Sequence, residues 1–197
     1  MLVDQNPKIA NRQDALLRDG ETPAPALAAT AAGLEAAGCD FIVMPCNAAH
    51  AYEDEIKAAL RVPFVSIIDA TCDALPDGVT RVGLMMTPAC AKAGMYQAAL
   101  DERGVVCIEH EADEFEQLMT LTYAIKRGDR GQAIADAMAS LATGLIERGA
   151  QALIVACTEI PLVLQPESLH VPVVSSTEEL ARRTVLLAQR VAPLPIA

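Results

Sequence analysis

Short apolar runs alternate along this chain with longer Ala-rich stretches of helical pattern. Segments such as Phe41-Ile-Val-Met44, Val82-Gly-Leu-Met-Met86 and Ala152-Leu-Ile-Val-Ala156 are almost continuously apolar. Continuous runs of that length suit strands covered on both faces, as in a parallel sheet flanked by helices. The pattern predicts strands at 41–45, 62–68, 81–86, 105–109, 152–156 and 171–174. Helices are predicted at 24–37, 50–60, 89–103, 113–127, 131–148 and 177–191. Strand and helix in alternation form βαβ units, so the fold class is α/β with doubly wound, Rossmann-like parallel sheets.

The pattern also repeats. Gly38-Cys-Asp-Phe-Ile-Val-Met-Pro-Cys46 and Gly149-Ala-Gln-Ala-Leu-Ile-Val-Ala-Cys157 each run from a glycine through an apolar segment to a cysteine. Downstream, Arg61-Val-Pro-Phe-Val-Ser66 matches His170-Val-Pro-Val-Val-Ser175. Such self-similarity marks two copies of one supersecondary unit. Gly38 and Gly149 are expected to stop a helix before each strand, a turn role and not a site role. Pro76-Asp-Gly78 is a turn signal between the copies. The expected domains are 1–78 with 175–197, and 79–174, two similar units related by pseudo-twofold symmetry. Active groups in open α/β sheets lie past the carboxyl ends of strands, which places Cys46 and Cys157 in a cleft between the halves. The opening Met1-Leu-Val-Asp4 reads as the tail of a strand.

Composition narrows the function. A formal net charge of −11 argues against nucleic acid or an anionic membrane as partner. No apolar stretch approaches the length of a membrane span, and the N-terminus lacks a signal-peptide pattern; a cytoplasmic protein with reduced thiols is expected. With 52% hydrophobic and only 3% aromatic residues, the core is aliphatic. Of the six cysteines, Cys39, Cys72, Cys90 and Cys107 read as small buried hydrophobes. Cys46 and Cys157 read as chemical groups, because repeat position and strand-end placement agree. A disulfide or a metal site is not favoured, since no further ligands have suitable spacing. Free N–H groups at a strand-to-helix junction would favour thiolates and bind a carboxylate. Asn47, Ala48, Ala49 and Thr158 could supply hydrogen bonds there. His50 and Glu159 could orient a thiol or a substrate ammonium, or serve only as helix-terminal residues.

Pro45-Cys-Asn-Ala-Ala-His50 and Ala156-Cys-Thr-Glu-Ile-Pro-Leu162 resemble the two signature motifs of the aspartate/glutamate (Asp/Glu/hydantoin) racemase superfamily, with Glu159 as in its aspartate-racemase branch. The resemblance implies an isomerase that inverts Cα without cofactor or metal. One cysteine removes the proton as thiolate while the other delivers one to the opposite face. It further implies that Arg12, in Asn11-Arg12-Gln13, and Lys126 contact the carboxylates of an acidic amino acid. Lys126 could equally be a solvated helix-end residue, and Thr87 reads better as a helix cap than as a cleft residue. Homodimers are common in the family.

The sequence departs from the family pattern at two places. Ala48 stands where a threonine is usual. Members also begin with a strand, a Gly-rich loop and a helix ahead of the segment where this sequence opens. Other readings therefore stay open: a maleate cis–trans isomerase, a hydantoin racemase, or a binding protein without turnover.

Overall fold

The computed structural model describes residues 1–195. Its strands form two parallel sheets. β1 (Ile42–Val43) pairs with β2 (Phe64–Val65). The larger sheet has the order β4-β3-β5-β6, from β3 (Arg81–Met86), β4 (Val106–Ile108), β5 (Ala152–Ala156) and β6 (Val173–Ser175). The helices are α1 (Arg12–Leu17), α2 (Ala24–Ala36), α3 (Glu53–Ala58), α4 (Ile67–Cys72), α5 (Pro88–Ala93), α6 (Met95–Asp101), α7 (Ala112–Lys126), α8 (Gln132–Glu147) and α9 (Ser176–Ala188). The two sheets are unequal, with two strands against four, so the halves are less alike than the repeat suggests.

The continuous apolar runs are explained by burial on both faces. Val82, Leu84 and Met86 of β3, with Ile154 and Ala156 of β5, join a core shared with α4, α6 and α9. Met85, Leu153 and Val155 point the other way, into a core with α7 and α8. The period-2 alternation of a strand thus sends successive side chains into two hydrophobic layers. Cys157 continues the alternation and falls on the α7/α8 side.

Several boundaries differ from expectation. The strand expected over 62–68 pairs only at Phe64 and Val65, and the chain turns at Ser66 into α4. The β-branched Ile67 and Ile68 are buried in that helix, so packing overrides their strand preference. The helix expected over 89–103 is broken by Gly94, whose φ of 73° ends α5 and opens α6. The helix expected from residue 50 is a 3₁₀ turn over Ala48–Tyr52 followed by α3. α1 was not expected; the Asn11 side chain caps it by accepting from the Gln13 N–H at 2.8 Å. Met1–Asp4 forms no strand and is exposed. Gly38 and Gly149 follow the ends of α2 and α8 with φ of 92° and 95°, the turn role expected of them.

The repeat persists in three dimensions. Each copy runs helix, glycine, strand, cysteine and 3₁₀ turn; then, after α3 in the first copy and a second 3₁₀ turn in the other, come a strand and a helix opened by Ser66 or Ser175. Those two closing helices, α4 and α9, pack on each other.

Candidate active site

Cys46 lies three residues beyond β1, partly buried, and leads into the 3₁₀ turn. Its backbone is held from below. His50 is 3% exposed, its Nδ1 sits 2.9 Å from the Cys46 carbonyl, and its Nε2 accepts from the Ile67 N–H at 3.1 Å. A ring nitrogen that accepts from a backbone N–H carries no proton, so Nδ1 is the donor to Cys46. Burial lowers the His50 pKa, against opposing pulls from the Cys46 carbonyl and Glu53, and the ring stays neutral. His50 is therefore a strut under the cysteine, and both its nitrogens are occupied.

Asn47 is also buried and committed. Its Nδ2 donates to Ser176 Oγ at 3.0 Å, and its Oδ1 accepts from the Tyr96 hydroxyl at 2.7 Å. Ala48 and Ala49 are buried in the first turn, where N–H groups lack partners within the turn.

Cys157 directly follows β5 and is buried. Its thiol donates to Glu159 Oε2 at 3.1 Å, and Thr158 Oγ1 donates to the same oxygen at 3.0 Å. The other carboxylate oxygen faces Lys126 Nζ at 3.5 Å, so α7 brings its last residue onto the strand end. Burial, reinforced by the Glu159 charge, pushes the Cys157 thiol well above the ordinary thiol range. The expected easing of thiolate formation at the junction is therefore reversed at Cys157. Burial pushes Glu159 up, but the thiol, Lys126 and Thr158 together outweigh it and hold the carboxyl below its usual value. This half-site is a protonated thiol bonded to an ionised carboxylate.

The two half-sites are joined through α5. Met86 pairs with Ala156 in the sheet, so Thr87 and Cys157 leave adjacent strand ends. Thr87 caps α5 by accepting from the Cys90 N–H, as expected, and α5 packs against the turn that follows Cys46. α1 packs on α5 and on the same turn, and Gln13 Oε1 accepts from the Ala89 N–H at 3.3 Å. That seats Arg12 on the same end of the molecule, where its Nη1 donates to the Ala10 carbonyl at 2.9 Å. A groove of about 640 Å³ between α1 and α7 is lined by Gln13, Leu17, Pro88, Phe115, Met119 and Tyr123, among others, and by neither cysteine.

Of the remaining cysteines, Cys72 and Cys90 are buried and burial raises both thiols to about 12. Cys39 and Cys107 are only partly buried, less enclosed than expected. The sequence reading missed Tyr96 and Ser176. Tyr96 is one of three tyrosines in an aromatic-poor chain, and Ser176 directly follows Val171-Pro-Val-Val-Ser175.

A sequence model of the family described as Asp/Glu/Hydantoin racemase matches residues 1–184. The chain belongs to this family. Among curated relatives of this racemase family, the broad specificity amino-acid racemase RacX of Bacillus subtilis is 32% identical over 154 residues. That match covers 77% of this chain and 66% of RacX. Among solved structures, the aspartate racemase of Picrophilus torridus superposes with a TM-score of 0.81 at 26% identity, covering 96% of this chain and 79% of that one. An aspartate racemase homologue from Pyrococcus horikoshii gives 0.74 at 27% identity, over 90% and 80% of the two chains. The two solved structures superpose on the mixed α/β fold with parallel sheets seen in this chain. Among the described residues, no helix is long and apolar enough to cross a membrane.

Proposed function

We propose that the protein racemises amino acids, aspartate or glutamate in the first instance, by a two-base transfer between Cys46 and Cys157. The observation that carries this reading is the unlike state of two cysteines at matching repeat positions. Cys157 is a protonated thiol on the Glu159 carboxylate, while the Cys46 thiol makes no hydrogen bond among the described residues. One carries a proton that can be delivered, and the sulfur of the other is unengaged and open to act as base.

In this reading the Cys46 thiolate takes the Cα proton. The released electron pair forms a double bond from Cα to the carboxyl carbon and displaces the C=O π pair onto oxygen as an enediolate. On collapse of that enediolate, Cys157 delivers its proton to the opposite face of Cα. The products are the inverted amino acid, a Cys46 thiol and a Cys157 thiolate; the reverse turnover restores the start. Arg12 and Lys126 recognise the substrate carboxylates, with Thr158 and the N–H groups of Ala48 and Ala49 as further donors. The amide of Asn47 serves the framework. The names of RacX and of the Picrophilus enzyme support an amino-acid substrate. The resemblance supports a cytoplasmic homodimer working without a cofactor.

The test follows L- and D-aspartate, then glutamate, by proton NMR in deuterium oxide without added cofactor. Loss of the Cα proton with appearance of the opposite enantiomer is expected. Cys46→Ala and Cys157→Ala should each abolish racemisation, and full racemisation by either variant refutes the two-base assignment.

A further inference from the structure

Cys46 is gripped from both sides by two buried hydrogen-bonded chains, whose ends meet at Thr71 and Tyr96 to complete one circuit of contacts. On one side the Cys46 carbonyl accepts from His50, whose other nitrogen accepts from Ile67, the first residue of α4. One turn on, Thr71 donates its hydroxyl proton to the Ile67 carbonyl. Thr71 Oγ1 is 3.3 Å from the Tyr96 oxygen. On the other side the next residue, Asn47, accepts from that same Tyr96 hydroxyl at 2.7 Å and donates to Ser176 at 3.0 Å. A phenol has one proton, and the shorter contact takes it, so Tyr96 donates to Asn47 and packs against Thr71.

Every side chain of the circuit is buried: Tyr96, Thr71 and Ser176 at 0%, His50 at 3% and Asn47 at 4% exposure. The members come from the turn after β1, from α4, from α6 and from the start of α9. Tyr96 therefore ties the cysteine of one half to the other, while Ser176 brings in the returning segment 175–197, expected to belong to the same half as Cys46. A buried polar group is costly unless bonded, so the bonds made by His50, Asn47 and the Tyr96 hydroxyl hold those groups in one arrangement. The Cys46 thiol itself takes no part in the circuit.

We propose that Tyr96 and Ser176 are positioning residues for Cys46, acting through the Asn47 side chain to fix the thiol at the reacting carbon. This rests on the racemase reading above for its catalytic meaning. Neither residue touches substrate. Their effect is confined to the proton transfer on the Cys46 face, because Cys157 is held by its own thiol bond to Glu159.

Tyr96→Phe keeps the ring and removes the donor to Asn47 Oδ1; Ser176→Ala removes the acceptor of Asn47 Nδ2. Each should lower kcat by roughly 10- to 100-fold with little change in KM, the scale set by small misplacements of reacting groups. A purely structural role could do the same, so the deciding measurement is the primary isotope effect with each Cα-deuterated enantiomer. It should rise for the enantiomer deprotonated by Cys46 and not for the other. A symmetric or unchanged pair of isotope effects in both variants overturns the proposal.

A second measurement needs no turnover: the rate of carbamidomethylation at Cys46 at one fixed pH, read by peptide mass spectrometry against Cys157. The ratio of the Cys46 rate to the Cys157 rate should fall by roughly several-fold in both variants, as the turn that carries the Cys46 thiol loses its fixed aim. If the melting temperature falls while that ratio stays at the parent's, the residues are structural only and the proposal fails. If no amino acid is racemised yet the ratio falls, the positioning role stands and the racemase reading fails.

Discussion

Replacing Glu159 by Gln removes one negative charge and little else, and it should make Cys157 far more reactive. In the parent protein the Cys157 sulfur lies 3.1 Å from Glu159 Oε2, so ionising the thiol sets two anions side by side. At an effective dielectric of about 20, two unit charges at that separation would repel by roughly 5 kcal/mol. The Glu159 side chain is 21% exposed and Lys126 pairs with it from a half-exposed position, so solvent and counter-charge reduce that figure. The strength of a hydrogen bond to a charged group, about 1.5–3 kcal/mol, is the better scale. This corresponds to roughly 10- to 100-fold in the thiolate fraction at a fixed pH below the thiol's own midpoint. Lys126, freed of its partner, acts in the same direction. The assay is carbamidomethylation at pH 8 by a small reagent, since Cys157 is 6% exposed, with Cys46 as internal reference. A variant whose Cys157 reacts no faster than the parent, with Cys46 unchanged, refutes the reasoning.

Two further outcomes test the fold. Arg148 donates to both Glu114 oxygens at 2.9 and 2.8 Å and holds that carboxyl down at about 2. Arg148→Ala should cost about 1–2 kcal/mol at neutral pH, allowing for partial exposure of both side chains. Because the folded value is depressed, the pair contributes fully above the unfolded value of about 4.3. The gap in urea unfolding between parent and variant should therefore close as pH falls through about 2, and an unchanged gap there counts against the pair. Gly83 sits on β3 where a Cβ would meet Leu153 Cδ2 at 2.6 Å and Leu145 Cβ at 2.9 Å. Gly83→Ala should destabilise by about 1–3 kcal/mol through overpacking, and a melting temperature equal to the parent's would show that the two layers yield.

Legibility from sequence followed local physics. β3 and β5 were readable to the residue because both of their faces are buried, which makes their runs continuous. α4 was misread because Ile67 and Ile68 prolong an apolar β-branched run. The corrective signal was present, since Ser66 followed by Asp69 has the spacing of a helix start. α5 and α6 were read as one helix, although Gly94 marks the break. At the candidate site, the contact of Lys126 with Glu159 joins α7 to the end of β5, and no spacing rule announces it. Tyr96 on Asn47 is further out of reach, for it links the two halves. His50 could have been read locally, because the fourth residue after Cys46 returns to that carbonyl within one turn.

The packing of α4 on α9 has a consequence for the two thiols. If two identical units met across these helices as separate chains, every substitution would fall on both cysteines at once. With both units on one polypeptide, each can change alone. Glu159, two residues after Cys157, has its counterpart in Ala48, two residues after Cys46. Among the described residues, the thiol bonded to a carboxylate is Cys157 and not Cys46. Covalent linkage of the copies thus lets the resting protein hold its proton on a chosen side, an asymmetry that a strictly symmetric pair of identical units could not maintain.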